Sequence, residues 1–252
     1  MGQAIANEIF NILVEFDIET KTIAMTTDNG SNMVAGANIL KSRLNTFTHY
    51  RCIAHVLNLV MAAGLGVVNL QIKKLRKLIK VIWKSTKLLG ELENLAKLDK
   101  IKFLRPILDC KTRWNSTYKM ISHACVLKEN MQMLLVKNPY LTNFFPNEDE
   151  WELFKDLDQF LQQFNEATIE LSSQKYYIIA HSRIILIAIK NDLETNKGDE
   201  YLLKDVADAM LEKFNNYYEM LENSSHIAAF LDPRYKKYCF LTMSEHEIQL
   251  PI

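Results

Sequence analysis

Three short runs in the first half of the chain carry side chains that could act on, or hold, a phosphodiester. The first is Asp28, which follows the apolar run Ile23-Ala24-Met25 and precedes Asn29-Gly30. A carboxylate directly after a buried strand sits at that strand's carboxyl end, where open α/β sheets place their ligands. Phosphoryl transfer by paired ions ~3.5–4 Å apart needs two or three such carboxylates. Magnesium prefers oxygen ligands and keeps several waters. The same Asp-Asn-Gly is also ordinary turn chemistry.

The second run is Arg51-Cys52-Ile53-Ala54-His55. Cys-x-x-His offers two zinc ligands, but a tetrahedral site wants four, and no second pair stands at a suitable distance. The third is Asp109-Cys110-Lys111-Thr112-Arg113-Trp114-Asn115-Ser116-Thr117. Arg113 supplies a bidentate phosphate donor and Trp114 a stacking plane, the tools for holding a displaced base. The alternative is a tryptophan anchoring a helix start with its arginine salt-bridged nearby.

The elements that must position these residues follow from apolar periodicity. Ala4 to Phe16 predicts a helix, Ile23 to Thr27 a buried strand, Asn32 to Leu44 a helix capped by Asn29 or Ser31, and Tyr50 to Ala54 a second strand leading into a helix at His55–Ala63. That alternation is one layered α/β unit. Beyond Gly64 and Gly66 a single long helix is predicted from Val67 to Leu98. Lys73, Lys77, Lys80, Lys84 and Lys87 form one stripe on it, opposite Leu75, Leu78, Ile79 and Ile82. An irregular stretch over 100–112 follows, then helices over 114–136, 148–171, 178–195 and 201–222. The fold class is therefore mainly α with a small α/β part. Residues 1–66 form the α/β portion, 67–238 an all-helical region and 239–252 a tail.

Composition agrees. Apolar residues make up 48% and charged residues 24%, with seven glycines and five prolines in 252 residues, few breakers for the length. No apolar run reaches the ~18 residues of a membrane span. The start lacks secretory or myristoylation signals. Cys52, Cys110, Cys125 and Cys239 are too scattered to staple the chain and read as reduced thiols of an intracellular protein. Formal net charge is zero, yet Lys73 to Lys119 holds fourteen Lys or Arg against four acids, a layout that can turn one basic face to a polyanion. A Gly-rich phosphate loop, a nucleophile motif and paired-carboxylate spacing are all missing, which argues against a small-molecule enzyme.

Taken together and in order, the runs resemble hAT-family DNA transposases and the BED zinc-finger proteins derived from them. The matching stretches are Thr26-Thr27-Asp28-Asn29-Gly30-Ser31-Asn32-Met33, Arg51-Cys52 with Ala54-His55 and Leu57-Asn58-Leu59, and Lys111-Thr112-Arg113-Trp114-Asn115-Ser116-Thr117-Tyr118 with Met120. Phe164-Asn165-Glu166-Ala167-Thr168, Ala209-Met210-Leu211-Glu212-Lys213-Phe214 and Leu231-Asp232-Pro233-Arg234-Tyr235-Lys236 continue the likeness, which covers about residues 4 to 238.

The resemblance implies a partial RNase H-like core followed by a helical insertion, and an ancestral metal-dependent DNA cleavage and strand transfer using Mg2+ or Mn2+. By family correspondence Asp28 is the second of three acidic metal ligands. Cys52 and His55 match a motif near the active site, with His55 supporting the scissile region. Arg113 and Trp114 match the pair that manages hairpin DNA and a flipped base. The implied partner is transposon-end or hairpin DNA, with a homo-oligomer in the intact family protein and the nucleus as compartment. The family's first aspartate lies upstream of Asp28, where only Glu8, Glu15, Asp17 and Glu19 stand. Its final glutamate lies downstream of the Leu-Asp-Pro-Arg-Tyr-Lys stretch. Two of three carboxylates are therefore expected to be absent and the catalytic site incomplete. The competing expectation is a non-catalytic helical scaffold for protein assembly.

Overall fold

The computed structural model describes residues 1–110, 113–172, 178–195 and 201–236. The elements run α1 (Gly2–Glu15), β1 (Ala24–Thr27), α2 (Ser31–Arg43), β2 (Thr48–Arg51), α3 (Ile53–Val67), α4 (Asn69–Lys84), α5 (Thr86–Leu98), α6 (Trp114–Val126), α7 (Lys128–Lys137), a 3-10 turn (Pro139–Phe144), α8 (Glu148–Leu171), α9 (Ile178–Thr195) and α10 (Tyr201–Leu231). Helix dominates, and among the described residues no strand follows β2, as the sequence predicts. Lys111, Thr112 and the tail 239–252, Cys239 included, lie outside the described residues. None of the described helices is alone long and apolar enough to cross a membrane.

The chain forms two compact units that interleave in sequence. One comprises Met1–Leu59, Leu171–Asn191 and the stretch from Lys213 onward; the other comprises Val60–Glu170 and Asp192–Glu212. A single linear boundary at residue 66 does not capture this interleaving.

In the first unit β1 and β2 are parallel, with Ala24 opposite Thr48 and Thr27 opposite Arg51. The Thr48 and Cys52 amides extend the ladder by donating to the Ile23 and Thr27 carbonyls at 2.9 and 2.8 Å. A parallel pair needs a crossover, and α2 provides it. Ala6, Leu40, Leu44 and Phe47 form the core beneath, with Ile9, Phe10, Leu13 and Met25 packed against it. The strands are shorter and less buried than the apolar pattern predicts: Ile23 lies outside β1 and is 67% exposed. Helix α1 closes with Asp17 at φ 53°, the left-handed residue that lets the Ile18 amide reach the Leu13 carbonyl at 3.0 Å. A second cluster joins Ala180, Ile184, Ala229 and Tyr235. Beside it, Asp232 takes both the Arg234 backbone amide and its guanidinium, closing α10.

The second unit departs from the sequence-based expectation at two points. The long helix expected over 67–98 breaks at Ser85, whose hydroxyl accepts the Leu88 amide at 3.2 Å and caps α5. The helix expected over 114–136 breaks at Leu127, between α6 and α7. Helix α4 buries Ile72, Leu75, Leu78, Ile79 and Ile82 on one side. The core also takes Leu88, Leu92, Trp151, Phe154 and Phe164. Gly64 of α3 lets Met210 approach so closely that an added Cβ would stand 2.5 Å from the Met210 Cγ, whereas nothing lies within 4 Å of a Cβ at Gly66. Urea titration should therefore find Gly64→Val destabilised by about 1–3 kcal/mol, the usual cost of overpacking. Gly66→Ala should gain up to about 1 kcal/mol of helix propensity.

Candidate functional site

In the first unit Asp28 stands just past the end of β1, exposed, with Oδ1 accepting the Gly30 amide at 3.0 Å. That bond sets the turn into α2, whose N-cap is Gly30 rather than Asn29 or Ser31. Cys52 follows β2, so Asp28 and Cys52 both lie one residue beyond the paired Thr27 and Arg51 at the sheet's carboxyl edge. His55 is in the first turn of α3, half-buried. Sequence reasoning missed His49. Its Nε2 lies 2.7 Å from the Thr27 hydroxyl, which itself donates to the Asp28 carbonyl, so His49 is the donor to that hydroxyl. Burial and the nearby Arg51 charge lower the His49 pKa. A cavity of about 980 Å3 opens beside β2, lined by His49, Arg51, Cys52, Leu171, Met220 and Leu231 among others. Asp28 and His55 do not line it.

Among the described residues no group of three His, Cys, Asp or Glu side chains is close enough to hold a metal ion. A divalent ion for phosphoryl transfer needs two or three converging carboxylates. Asp28 by itself does not fit that requirement. Among the described residues the thiol of Cys52 and the ring of His55 gain no further ligands.

In the second unit, Lys73, Lys77, Lys80 and Lys84 of α4 are all exposed on one face, as the spacing predicts. Lys87 is not part of that helix. It lies on α5, 79% exposed, 4.0 Å from Glu91. The other two cations of α4 are engaged: Lys74 reaches Glu150 at 2.6 Å, and Arg76 grips Asp109 with Nε at 2.6 Å and Nη2 at 2.5 Å. The Asp109 side chain is 1% exposed and also accepts the Thr117 hydroxyl at 2.9 Å. Burial pushes its carboxyl up, but the Arg76 and Thr117 hydrogen bonds outweigh that and hold it below its ordinary value.

The residue after Asp109 is tied to the start of α6. Ser116 Oγ takes the Cys110 amide at 2.7 Å, and the Arg113 amide donates to the Cys110 carbonyl at 2.9 Å. Arg113 is the extended N-cap residue of α6 and is exposed. Trp114 turns the other way: it is 4% exposed and packs near Tyr118 with ring centroids 6.3 Å apart. The two neighbours therefore do different work in this structure, with Arg113 offered to solvent and Trp114 in the core. A base cannot stack on an indole buried to that degree.

The ZBED1 RNase-like helical domain matches residues 50–160, and the hAT-like transposase RNase-H fold matches residues 184–249. The chain is 32% identical to a Zea mays protein named "Putative AC transposase", over 94% of this chain and 31% of that protein. It is 26% identical to zinc finger BED domain-containing protein RICESLEEPER 4 of Oryza sativa subsp. japonica, over 91% of this chain and 34% of that one. Human zinc finger BED domain-containing protein 4 shares 23% identity over 84% of this chain and 18% of its own length. The chain thus spans about a third or less of the curated relatives it matches.

Two measurements check the site. Trp114→Ala should lose about 3–5 kcal/mol in a urea melt, the range for emptying a buried tryptophan, while Arg113→Ala leaves stability unchanged. Because the folded Asp109 pKa lies below the unfolded one, its contribution is present above the unfolded value and is lost as pH falls through the folded value. The stability gap between wild type and Asp109→Asn should therefore be full at neutral pH and shrink below about pH 4, the ordinary aspartate range. A gap that is flat from neutral pH to pH 3 would show that the ion pair contributes nothing.

Proposed function

The chain belongs to the hAT transposase family, and from that membership we propose that it is a DNA-associating module rather than a complete nuclease. The observation that carries the reading is the α4 face. Lys73, Lys77, Lys80 and Lys84 are exposed on one rigid helix, and none forms an ion pair among the described residues. The helix rises about 1.5 Å per residue, so Lys73 and Lys84 are about 16 Å apart along the axis, enough to meet several backbone phosphates. Arg113, in the same unit and held at the start of α6, adds a planar donor suited to a phosphate. DNA as ligand makes the nucleus the compartment, and association into a homo-oligomer belongs to this reading as the family's assembly.

On the catalytic side, the family enzyme's divalent-metal chemistry requires carboxylates beyond Asp28. Among the described residues we assign Asp28, Cys52 and His55 to the remnant of that edge, with Asp28 as its acidic ligand. Purified protein with Mg2+ or Mn2+ should leave a transposon-end duplex uncut. Metal-dependent cutting abolished by Asp28→Asn would contradict the assignment.

The test of binding is its salt dependence. Every phosphate that a lysine neutralises steepens the log–log slope by about 0.9 on duplex DNA, through the counterion it releases. Replacing Lys73, Lys77 and Lys80 by Gln should then flatten the slope by about two to three, with little regard to sequence. A wild-type protein that binds no form of DNA in a salt-dependent way would return the chain to the alternative, a helical protein-interaction scaffold.

A further inference from the structure

The chain has three tryptophans, and they differ sharply in exposure. Trp114 and Trp151 are buried at 4% and 2%, while Trp83 on α4 is 44% exposed. A surface indole is a large apolar face left in water, and its surroundings here are cationic. Lys80 lies one turn before it and Lys84 directly after it, both exposed. The Arg105 guanidinium sits 5.9 Å from the indole centroid. Arg105 is itself exposed and forms no ion pair among the described residues. Its backbone is held in place, because its carbonyl lies 3.0 Å from Nδ1 of His123 and the next residue, Pro106, is buried.

We propose that Trp83 and Arg105, flanked by Lys80 and Lys84, form a stacking site for an unpaired nucleobase. An indole face and a guanidinium plane are the two groups on which bases stack, and the lysines can take the phosphates on either side. A duplex cannot use the indole, since its base faces are covered by their neighbours. The site therefore selects single-stranded or frayed nucleic acid. An apolar protein partner fits less well. The other large exposed hydrophobic side chain of α4 is Leu70, thirteen residues away and about 20 Å along the helix, so Trp83 is the one exposed aromatic of that helix and sits in a positive field. The inference shares the basic face of α4 with the duplex reading but does not require duplex binding.

The test uses the full chain and the indole's own fluorescence. Since Trp114 and Trp151 are buried, the solvent-accessible emission comes from Trp83. Titration at low salt with oligo-dT, with oligo-rU and with a blunt duplex should give saturable quenching by the single strands that exceeds any produced by the duplex. The stronger single strand identifies DNA or RNA as the source of the base. Trp83→Ala should weaken single-strand binding about ten-fold, within the usual range for one stacked base, and leave duplex affinity unchanged. Trp83→Phe should retain most of the affinity, and Arg105→Gln should lose part of it. Melting curves identify any variant that has lost its fold, and Trp83→Phe then carries the comparison through its retained affinity. Single-strand binding without quenching, no single-strand binding at all, or equal affinity of Trp83→Ala and wild type would overturn the proposal. If salt-dependent duplex binding is absent while the single strands still quench, the lysine-stripe reading falls and this one stands.

Discussion

The carboxylate of Asp109 joins three pieces of the second unit that are far apart in sequence. It receives both prongs of Arg76 from α4 and the Thr117 hydroxyl from α6. A buried carboxylate is costly unless its lone pairs are met, and here three donors meet them. The planar fork of arginine matches two oxygens at once, so lysine at position 76 would not be equivalent. The segment from 101 to 110 has no regular structure of its own; this bond and the Arg105–Trp83 pairing hold it along α4. The lengths agree. Arg76 and Trp83 are seven residues apart on a helix, about 10 Å, and Asp109 and Arg105 are four residues apart in extended chain, at most about 14 Å. The segment thus runs antiparallel to α4, and Ser116 ties its last residue, Cys110, to the start of α6.

The first unit is built on different terms. Its sheet has two parallel strands, and within them only Thr27 is buried. Parallel sheets are normally covered on both faces, so the pair rests on the α1–α2 core rather than on sheet burial. The edge keeps the geometry of a ligand site: Asp28 and Cys52 side by side, with His49 behind them on Thr27. Among the described residues Asp28 is the carboxylate at that edge. Among the described residues the exposed cations of α4 thus lie in the second unit, and Asp28 with Cys52 and His55 in the first.

Much of this was legible in the sequence, because apolar period and turn residues are local signals. Helix α8 runs from Glu148 to Leu171 as the pattern predicts, and the exposed stripe Lys73, Lys77, Lys80, Lys84 follows from 3.6-residue spacing. The break at Ser85 was hidden because leucines and lysines continue at helical spacing across it, which wrongly joined Lys87 to the stripe. The inward turn of Trp114 depends on the N-cap geometry of Arg113, and adjacent letters do not encode which of two neighbours faces the core. The Arg76–Asp109 bond spans 33 residues, and the Thr27–His49 bond depends on strand register. Neither leaves a local signature. The interleaving of the two units is likewise a property of long-range packing.

If Arg113 meets a DNA phosphate as proposed, Asp109 acts on that contact by holding the segment that precedes it. A double-mutant cycle on duplex affinity tests this directly, with Asp109→Asn, Arg113→Ala and the pair measured at a temperature where melts show all of them folded. Non-additive losses are expected. Once Asp109 is neutralised, removing Arg113 should cost little more, so the coupling should be most of the Arg113→Ala loss, at least about 0.5 kcal/mol for coupled sites. Strictly additive losses would mean that the clamp stabilises the fold without positioning the arginine, and would overturn the dependence of Arg113 on Asp109.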